Sequence, residues 1–578
     1  MNFLTKWFDA GARFEKEFAR AFLARYGFAE LGGGARVDLE NSFVEVRGLR
    51  AALTRENRLL LTGAPGSGKT SALLHLALTN ARRTLAGQPG ARLPFYFAAR
   101  DFNPHALPLA ADAVRTLGVN APREYLASVL ASDRALVLID DLDAMPENER
   151  NDWLWQFGGA QIVASARGKI AGVAEFPLPG FRDNDIHEFA DIHLREQANA
   201  FLAALKANGV PRSLTANPFT VTLLERVWRA DAPASAPANE LFEAHGIKPL
   251  PTRRADLFSA YAHPLLNEGG ETAKMLEGVA LAIQRGKPAA NDFQARARGF
   301  LSAGKNQTSV FVHDLWQSYF AARALRYTSD LAPVLEHLND PAWFDVILFY
   351  AGLGDAAPLM DALVAREDYA FAGFVIAQAK DTAKETRDAV TAELTERAWA
   401  GDARALAALA EMHNEVAVDY YAARLKEKDV AVRARAAEIL GQLQLDRGID
   451  YLLPQLRDVN RDVRDKVVAA LGNARTDRVI EPLLVALRGD PRVGTVDTRL
   501  RVAAARALGQ TASEKAFAAL IVDLQLGEPE VREVAAESLK QIKTPLMLKP
   551  LRSILETGDA LAQKYAHEVL LVVDGEKK

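Results

Sequence analysis

Eight residues constrain this chain more than any others: Gly63-Ala-Pro-Gly-Ser-Gly-Lys69-Thr70. Gly63, Gly66 and Gly68 let the backbone curl until its N–H groups converge, which makes a nest for an anion. The apolar run Leu59-Leu60-Leu61 just before reads as a buried strand, and Ser71–Ala77 just after opens a helix. Strand, glycine turn and helix together set an anion at a helix N-terminus, where the peptide dipoles favour negative charge. The spacing GxxxxGK[ST] then assigns roles. Gly63, Pro65, Gly66, Ser67, Gly68 and Ser71 line the phosphates of a nucleotide. Lys69 reaches the β- and γ-phosphates, and the Thr70 hydroxyl ligates magnesium. A glycine turn with an incidental lysine is the bland alternative, and the flanking strand and helix argue against it.

The surrounding pattern agrees. Phe95–Phe97, Leu136–Ile139 and Ile162–Ala164 are further short apolar runs separated by stretches of helical period. That alternation predicts a parallel sheet with helices on its faces, the α/β core of a P-loop NTPase. The run Ala135-Leu-Val-Leu-Ile139 ends in Asp140, which falls at the sheet's C-terminal edge beside the glycine loop. Asp140 is therefore the candidate carboxylate for magnesium. Asp143, three residues on, is the candidate that orients an attacking water; the alternatives are support of a neighbouring ligand or a helix N-cap. Arg167 ends the strand Ile162-Val-Ala-Ser165-Ala and would sense a γ-phosphate at the same edge, the alternative being a surface salt bridge.

At 578 residues, and roughly 100–200 per domain, the chain predicts three to five units. A formal charge of -4 gives no general argument for nucleic acid or an anionic membrane. With no cysteine, disulfides, thiolate metal sites and a cysteine nucleophile are excluded. No apolar run reaches the length of a membrane span, and charges follow the short apolar N-terminus at once, so a cytoplasmic protein is expected. Residues 1–30 read as a helix with Phe14, Phe18 and Phe22 on one face. That stripe either packs on its own protein or faces a membrane or partner. Gly32-Gly33-Gly34 breaks the chain after it.

Beyond the core the chain turns helical. Residues 181–330 read as mostly helical with a loop over Ala230–Ala238, and 331–420 as helical and alanine-rich without a fixed repeat. From about 421 a repeat sets in. Val432-Arg433, Val463-Arg464, Leu500-Arg501 and Val531-Arg532 recur at intervals of 31, 37 and 31 residues, the excess falling in 492–498. Leu440-Gly441, Leu471-Gly472 and Leu508-Gly509 come after each Arg, with Leu539-Lys540 in the fourth copy. Helix pairs that cannot bury their apolar faces alone must stack. This segment resembles short HEAT-type repeats, an all-α solenoid.

The order of motifs resembles the NACHT group of STAND-type signalling ATPases. Leu39–Val46 resembles the extended stretch before the NACHT P-loop, and Leu93–Arg100 its second strand. Pro177-Leu-Pro-Gly-Phe with Asp185–Phe189 resembles the entry to its helical subdomain. Asn217-Pro218-Phe219 resembles the motif whose proline packs near adenine. Val312-His313-Asp-Leu-Trp resembles the winged-helix motif whose histidine contacts a bound diphosphate at rest. The bland alternatives are an ordinary helix-start proline and a buried core histidine. The resemblance implies an N-terminal helical segment at 1–45, a NACHT-like core at 46–180, a helical subdomain at 181–235 and a winged-helix subdomain at 236–330. A connector at 331–420 and the solenoid at 421–578 complete the order.

The same resemblance implies a switch operated by ATP, ADP and magnesium. A protein or other macromolecular ligand on the repeats would trigger exchange, opening and self-association, in defence signalling. Two departures bear on this. Asp140-Asp141-Leu142-Asp143-Ala144 lacks the family's usual Glu at its last position, so hydrolysis should be slow, and Gln317-Ser318 stands where Gln-Glu is usual. The rival readings are an AAA+-like motor or loader, and a HEAT scaffold with structural ATP.

Overall fold

The computed structural model describes residues 2–46, 48–99, 114–120, 123–147, 149–150, 157–230, 248–266, 270–287, 299–303, 308–328, 331–474, 476–488, 497–511, 513–542 and 545–573. The loop expected over Ala230–Ala238, the end of the Leu93–Arg100 stretch and most of 492–498 lie outside them. Two compact units are present: Met1–Phe181 with Asp185–Leu353, and Arg182–Asn184 with Gly354–Lys578.

The first unit is built on five strands, β3 (Arg58–Thr62), β4 (Leu93–Ala98), β5 (Ala135–Asp140), β6 (Gln161–Ala166) and β7 (Ala174–Pro177), in the order β4-β5-β6-β3-β7. Every pairing is parallel, with Leu60 opposite Ala164, Phe97 opposite Ile139 and Leu138 opposite Val163. Each residue of β5 and β6 is buried, as both faces of a parallel sheet demand, which is why these strands read as unbroken apolar runs. Sheet order puts β3 between β6 and β7, so the loop after β3 opens beside the ends of β5 and β6.

Helix α1 (Asn2–Tyr26) settles the choice posed by its aromatic stripe. Phe14, Phe18 and Phe22 are 5%, 1% and 1% exposed and belong to the core of this sheet. Phe18 meets Phe95 of β4 at 5.5 Å between ring centres, and Phe14 meets Tyr125 edge-on at 5.8 Å. Glu15 accepts from the Tyr125 hydroxyl at 2.6 Å and pairs with Arg134. The stripe packs on its own protein.

The three glycines after it form a turn. Gly32, Gly33 and Gly34 have φ of 99°, 62° and 79°, a region that disfavours any Cβ, and they join β1 (Phe28–Gly32) to β2 (Ala35–Asp38) in an antiparallel hairpin. The hairpin is anchored on the later part of the same unit. Trp316 Nε1 donates to the Leu31 carbonyl at 2.8 Å, and the Tyr261 hydroxyl donates to that of Gly32 at 2.8 Å. That later part comprises α3 (Pro218–Arg229), α4 (Arg254–Leu266) and α5 (Glu271–Gln284). An antiparallel pair comes next, β8 (Leu301–Ala303) with β9 (Ser309–Phe311), then α6 (Asp314–Thr328). Trp316, Tyr319 and Phe320 of α6 are fully buried with Phe258 and Phe300.

The second unit is helical throughout its described residues. In the repeat region the first helices, Val430–Leu443, Arg461–Asn473, Thr498–Thr511 and Pro529–Ile542, pack side by side. The glycine of each Leu-Gly pair sits where they touch. A Cβ on Gly441 would meet Ala470 Cβ at 2.5 Å, one on Gly472 would meet Ala507 Cα at 2.8 Å, and one on Gly509 would meet Ser538 Oγ at 2.5 Å. The recurring arginines tie each copy to the chain ahead. Arg433 grips Asp458 through two nitrogens at 2.8 and 2.9 Å, Arg464 pairs with Asp497 at 3.1 Å, and Arg532 with Asp559. Helices also pack upstream of 421: Lys384–Ala400 packs on Tyr369–Gln378, Ala403–Glu411 and Glu415–Arg424, and Glu415–Arg424 packs on Val430–Leu443.

Candidate functional site

The loop between β3 and α2 (Lys69–Leu85) carries the chemistry. Gly66 and Gly68 adopt left-handed φ of 80° and 90°, and Gly68 is the N-cap of α2. A side chain at Gly63 would meet Ser67 Oγ at 2.6 Å, and one at Gly66 would meet Asn217 Oδ1 at 2.6 Å. The cradle is thus closed to anything larger than glycine. Ser67 Oγ is buried with no hydrogen-bond partner, an orphan that an anion held in the loop would satisfy. Lys69 turns its ammonium back onto the carbonyls of Gly63 at 2.7 Å and Ala64 at 3.2 Å. Burial lowers its pKa, while Asp141, Asp140 and Asp314 nearby favour its charge. Thr70 is exposed and Ser71 half-buried on the first turn of α2.

Asp140 ends β5 at 2% exposure, and its carboxylate is held from two sides. Ser165 Oγ donates to Oδ1 at 2.6 Å, and the Tyr96 hydroxyl donates to Oδ2 at 2.8 Å. The chain then turns through Asp141, whose φ of 56° is left-handed, a conformation aspartate tolerates better than most residues. Its N–H donates to Ser165 Oγ at 2.9 Å. Asp143 sits in a short 3-10 turn just beyond, and its Oδ2 accepts the backbone N–H of Arg167 at 3.4 Å. Arg150 donates to the Asp143 carbonyl at 2.8 Å. Loop, Asp140, Asp143 and Arg167 therefore share one edge of the sheet, as β-strand order dictates. The oxygen donors of Thr70 and Asp140 suit a hard cation such as magnesium.

Two segments from farther along the chain reach this edge. Asn217 caps α3 by accepting from the N–H groups of Phe219 at 3.0 Å and Thr220 at 3.4 Å. Its Nδ2 donates to the Pro65 carbonyl at 3.0 Å, and the Phe219 N–H donates to that of Gly66 at 3.3 Å. Pro218 is the first residue of α3 and sits 3.8 Å from where a Gly68 Cβ would lie, so it is both a helix-start proline and a neighbour of the loop. His313 stacks on Phe219 at 3.8 Å with 9° between the planes. Its Nδ1 accepts the Leu315 N–H at 3.1 Å, which leaves Nε2 to carry the proton of the neutral ring. Burial pushes its pKa down to about 4, with Asp314 acting upward and Lys69 downward, so the ring is neutral at pH 7. Asp314 pairs with Arg167 at 2.8 Å.

Sequence reasoning brought together every residue of the loop, Asp140, Asp143 and Arg167. Asn217, Asp314, Tyr96 and Ser165 all lie inside the motifs quoted above, which give none of them a role. Each of these acts through a partner distant in sequence, so no local pattern points to it.

An α/β domain with this loop and these carboxylates at one sheet edge is a nucleotide-binding P-loop domain. Residues 57–168 match the family model of the NACHT domain, and 418–495 and 493–570 match that of HEAT repeats. The chain carries a NACHT domain, an NTPase domain, with HEAT repeats at its C-terminal end. No curated protein matches it at a significant level. Solved structures similar to it include an engineered protein at 21% identity, covering 38% of this chain and 97% of that one with a TM-score of 0.24. Human deoxyhypusine hydroxylase in complex with glycerol is 16% identical, covering 53% of this chain and 97% of that one with a TM-score of 0.20. No described helix is long and apolar enough to cross a membrane.

Proposed function

We propose that this chain is a nucleotide-operated switch, held at rest by segments that close over the P-loop. The observation that carries this reading is the set of ties across that loop: Asn217 on Pro65, His313 stacked on Phe219, and Asp314 on Arg167. The backbone N–H groups from Gly63 to Thr70 and the Lys69 ammonium bind the phosphates of ATP or ADP. Thr70 and Asp140 would hold magnesium, which supplies positive charge to the β- and γ-phosphates when bound. Pro218 packs near the base, and the Nε2–H of His313 donates to a diphosphate. Asp143 orients a water. The Ala144 position offers no second carboxylate, so hydrolysis is slow.

Arg167 is the hinge of the mechanism. Its guanidinium lies on Asp314, and a γ-phosphate would compete for it. Capture of Arg167 by the triphosphate releases Asp314 and with it the segment that carries His313. A macromolecule on the HEAT array that binds the open form better shifts the population the same way. The open form self-associates, and its output is defence signalling in the cytoplasm, a reading that the resemblance to STAND ATPases supports.

The test is to purify the chain, extract its nucleotide and measure its mass before and after ATP. A monomer carrying ADP that grows on ATP addition supports the switch. A nucleotide-free protein with fast steady turnover supports the motor reading instead, and bound ATP with neither turnover nor growth supports a scaffold.

A further inference from the structure

Asp140 is a buried carboxylate gripped by a phenol that the reading above does not use. β4 and β5 are parallel neighbours with Tyr96 opposite Leu138 and Ala98 opposite Asp140. Side chains two apart share a face of a strand, so Tyr96 is the diagonal neighbour of Asp140 on one face. Its hydroxyl donates to Oδ2 at 2.8 Å, while Ser165 holds Oδ1 at 2.6 Å. The two donors approach from the strands on either side, β4 and β6, and stop the carboxylate from rotating. The Tyr96 ring rests on Tyr26, the last residue of α1, at 5.4 Å between centres. Tyr26 packs on Phe22 at 4.6 Å, Phe22 on Phe18 at 6.0 Å, and Phe18 on Phe95 of β4 at 5.5 Å. An aromatic file thus runs along α1 from the sheet core to the phenol that faces Asp140.

We infer that Tyr96 is a positioning residue for the carboxylate that receives the divalent cation, and that α1, through Tyr26, is the wall that aims it. The N-terminal helix is then part of the cation site. Groups that hold a metal ligand in place tune its affinity for the ion, and losing one typically weakens binding about tenfold or more. Without the phenol the Asp140 carboxylate keeps only its tie to Ser165, so it can turn and must be reoriented for each binding event.

This inference rests on the proposed nucleotide site, and the experiment separates the two. A fluorescent ADP analogue is titrated into the full chain in EDTA and across a magnesium series, and manganese is titrated into the ADP-loaded chain with its EPR signal as readout. Tyr96→Phe, which keeps the ring on Tyr26, should raise the half-point for magnesium and the Kd for manganese about tenfold, with affinity in EDTA unchanged. Tyr26→Leu, which keeps the hydroxyl and removes its wall, should shift both in the same direction. A Tyr96→Phe protein with the parental half-point and manganese Kd overturns the inference. So does an equal loss with and without the cation, which would mark a merely structural role. If the parent itself binds no nucleotide, it is the proposed site that fails.

Discussion

Lys69 rests its charge on two carbonyls of its own loop, an arrangement in which the cation waits for a better acceptor. Lys69→Ala should lower ATP affinity by two orders of magnitude or more, at about 1.4 kcal/mol per tenfold, and leave the circular dichroism spectrum unchanged. Undiminished affinity in the purified variant would remove the phosphate role. Asp143→Asn should keep nucleotide binding and slow hydrolysis, since its carboxylate lies beside the Arg167 N–H at the sheet edge; turnover equal to the parent would move the water-orienting role elsewhere. His313 carries a pH prediction. Its pKa in the folded chain is about 4, below the ordinary 6.5, so the neutral ring is what the fold prefers. That contribution is complete above pH 6.5 and is lost as pH falls toward 4, at about 1.4 kcal/mol per unit. Thermal unfolding of the parent should therefore lose roughly 1–2 kcal/mol more between pH 6.5 and 5 than that of His313→Gln. Parallel pH profiles of the two proteins would contradict the burial of this ring. A neutral ring would meet a diphosphate with an N–H donor and no charge of its own, so the proposed tie is a hydrogen bond to an ionised acceptor and not an ion pair. The loop residues and Asp140 were legible because their chemistry is local, whereas Asn217 and Asp314 act across 152 and 147 residues.

At the scale of elements, the four apolar runs were legible as strands because β3 to β6 are covered on both faces. The edge strand β7 was not, since its exposure alternates and its composition, Ala174-Glu-Phe-Pro177, carries no clear apolar run. The hairpin Phe28–Asp38 hid for another reason. Three consecutive glycines look like a linker, and only the anchoring of their carbonyls and neighbours by Trp316 and Tyr261 makes them a turn. In the repeats, Leu-Gly and Val-Arg were visible as a period, but their work was not. The glycines permit close helix contact, and the arginines join one copy to the next. Gly472→Val would drive a side chain into Ala507 Cα, backbone that cannot move aside, and should destabilise the array by about 1–3 kcal/mol. Gly278→Ala, a helix position with nothing within 4 Å, should be neutral or slightly stabilising. Urea unfolding monitored by tryptophan fluorescence and circular dichroism distinguishes them. Equal stability of the two variants would show that the glycine contact does not hold the stack.

For the molecule as a whole, the motif order made two kinds of architecture legible, a NACHT-type α/β domain and a stack of HEAT-like pairs. Helix pairing upstream of 421 was not legible, because those pairs lack the shared Arg and Gly that make copies comparable. Contacts in a stack run between neighbours, so removing residues 421–578 should leave a nucleotide-binding protein that no longer responds to its trigger. Retention of the full response would place sensing in the first 420 residues. If the P-loop is clasped at rest, the clasp sets the rate at which ADP leaves. Arg167 and Asp314 are 48% and 43% exposed, so their pair contributes at most about 1 kcal/mol. The stacked, hydrogen-bonded His313 adds about 1–2 kcal/mol. The parent should release bound ADP slowly. Asp314→Asn should speed release a few-fold and His313→Ala about tenfold, with light scattering showing larger species in the same order. A parent that releases ADP within seconds, with neither substitution changing rate or mass, would contradict the clasp.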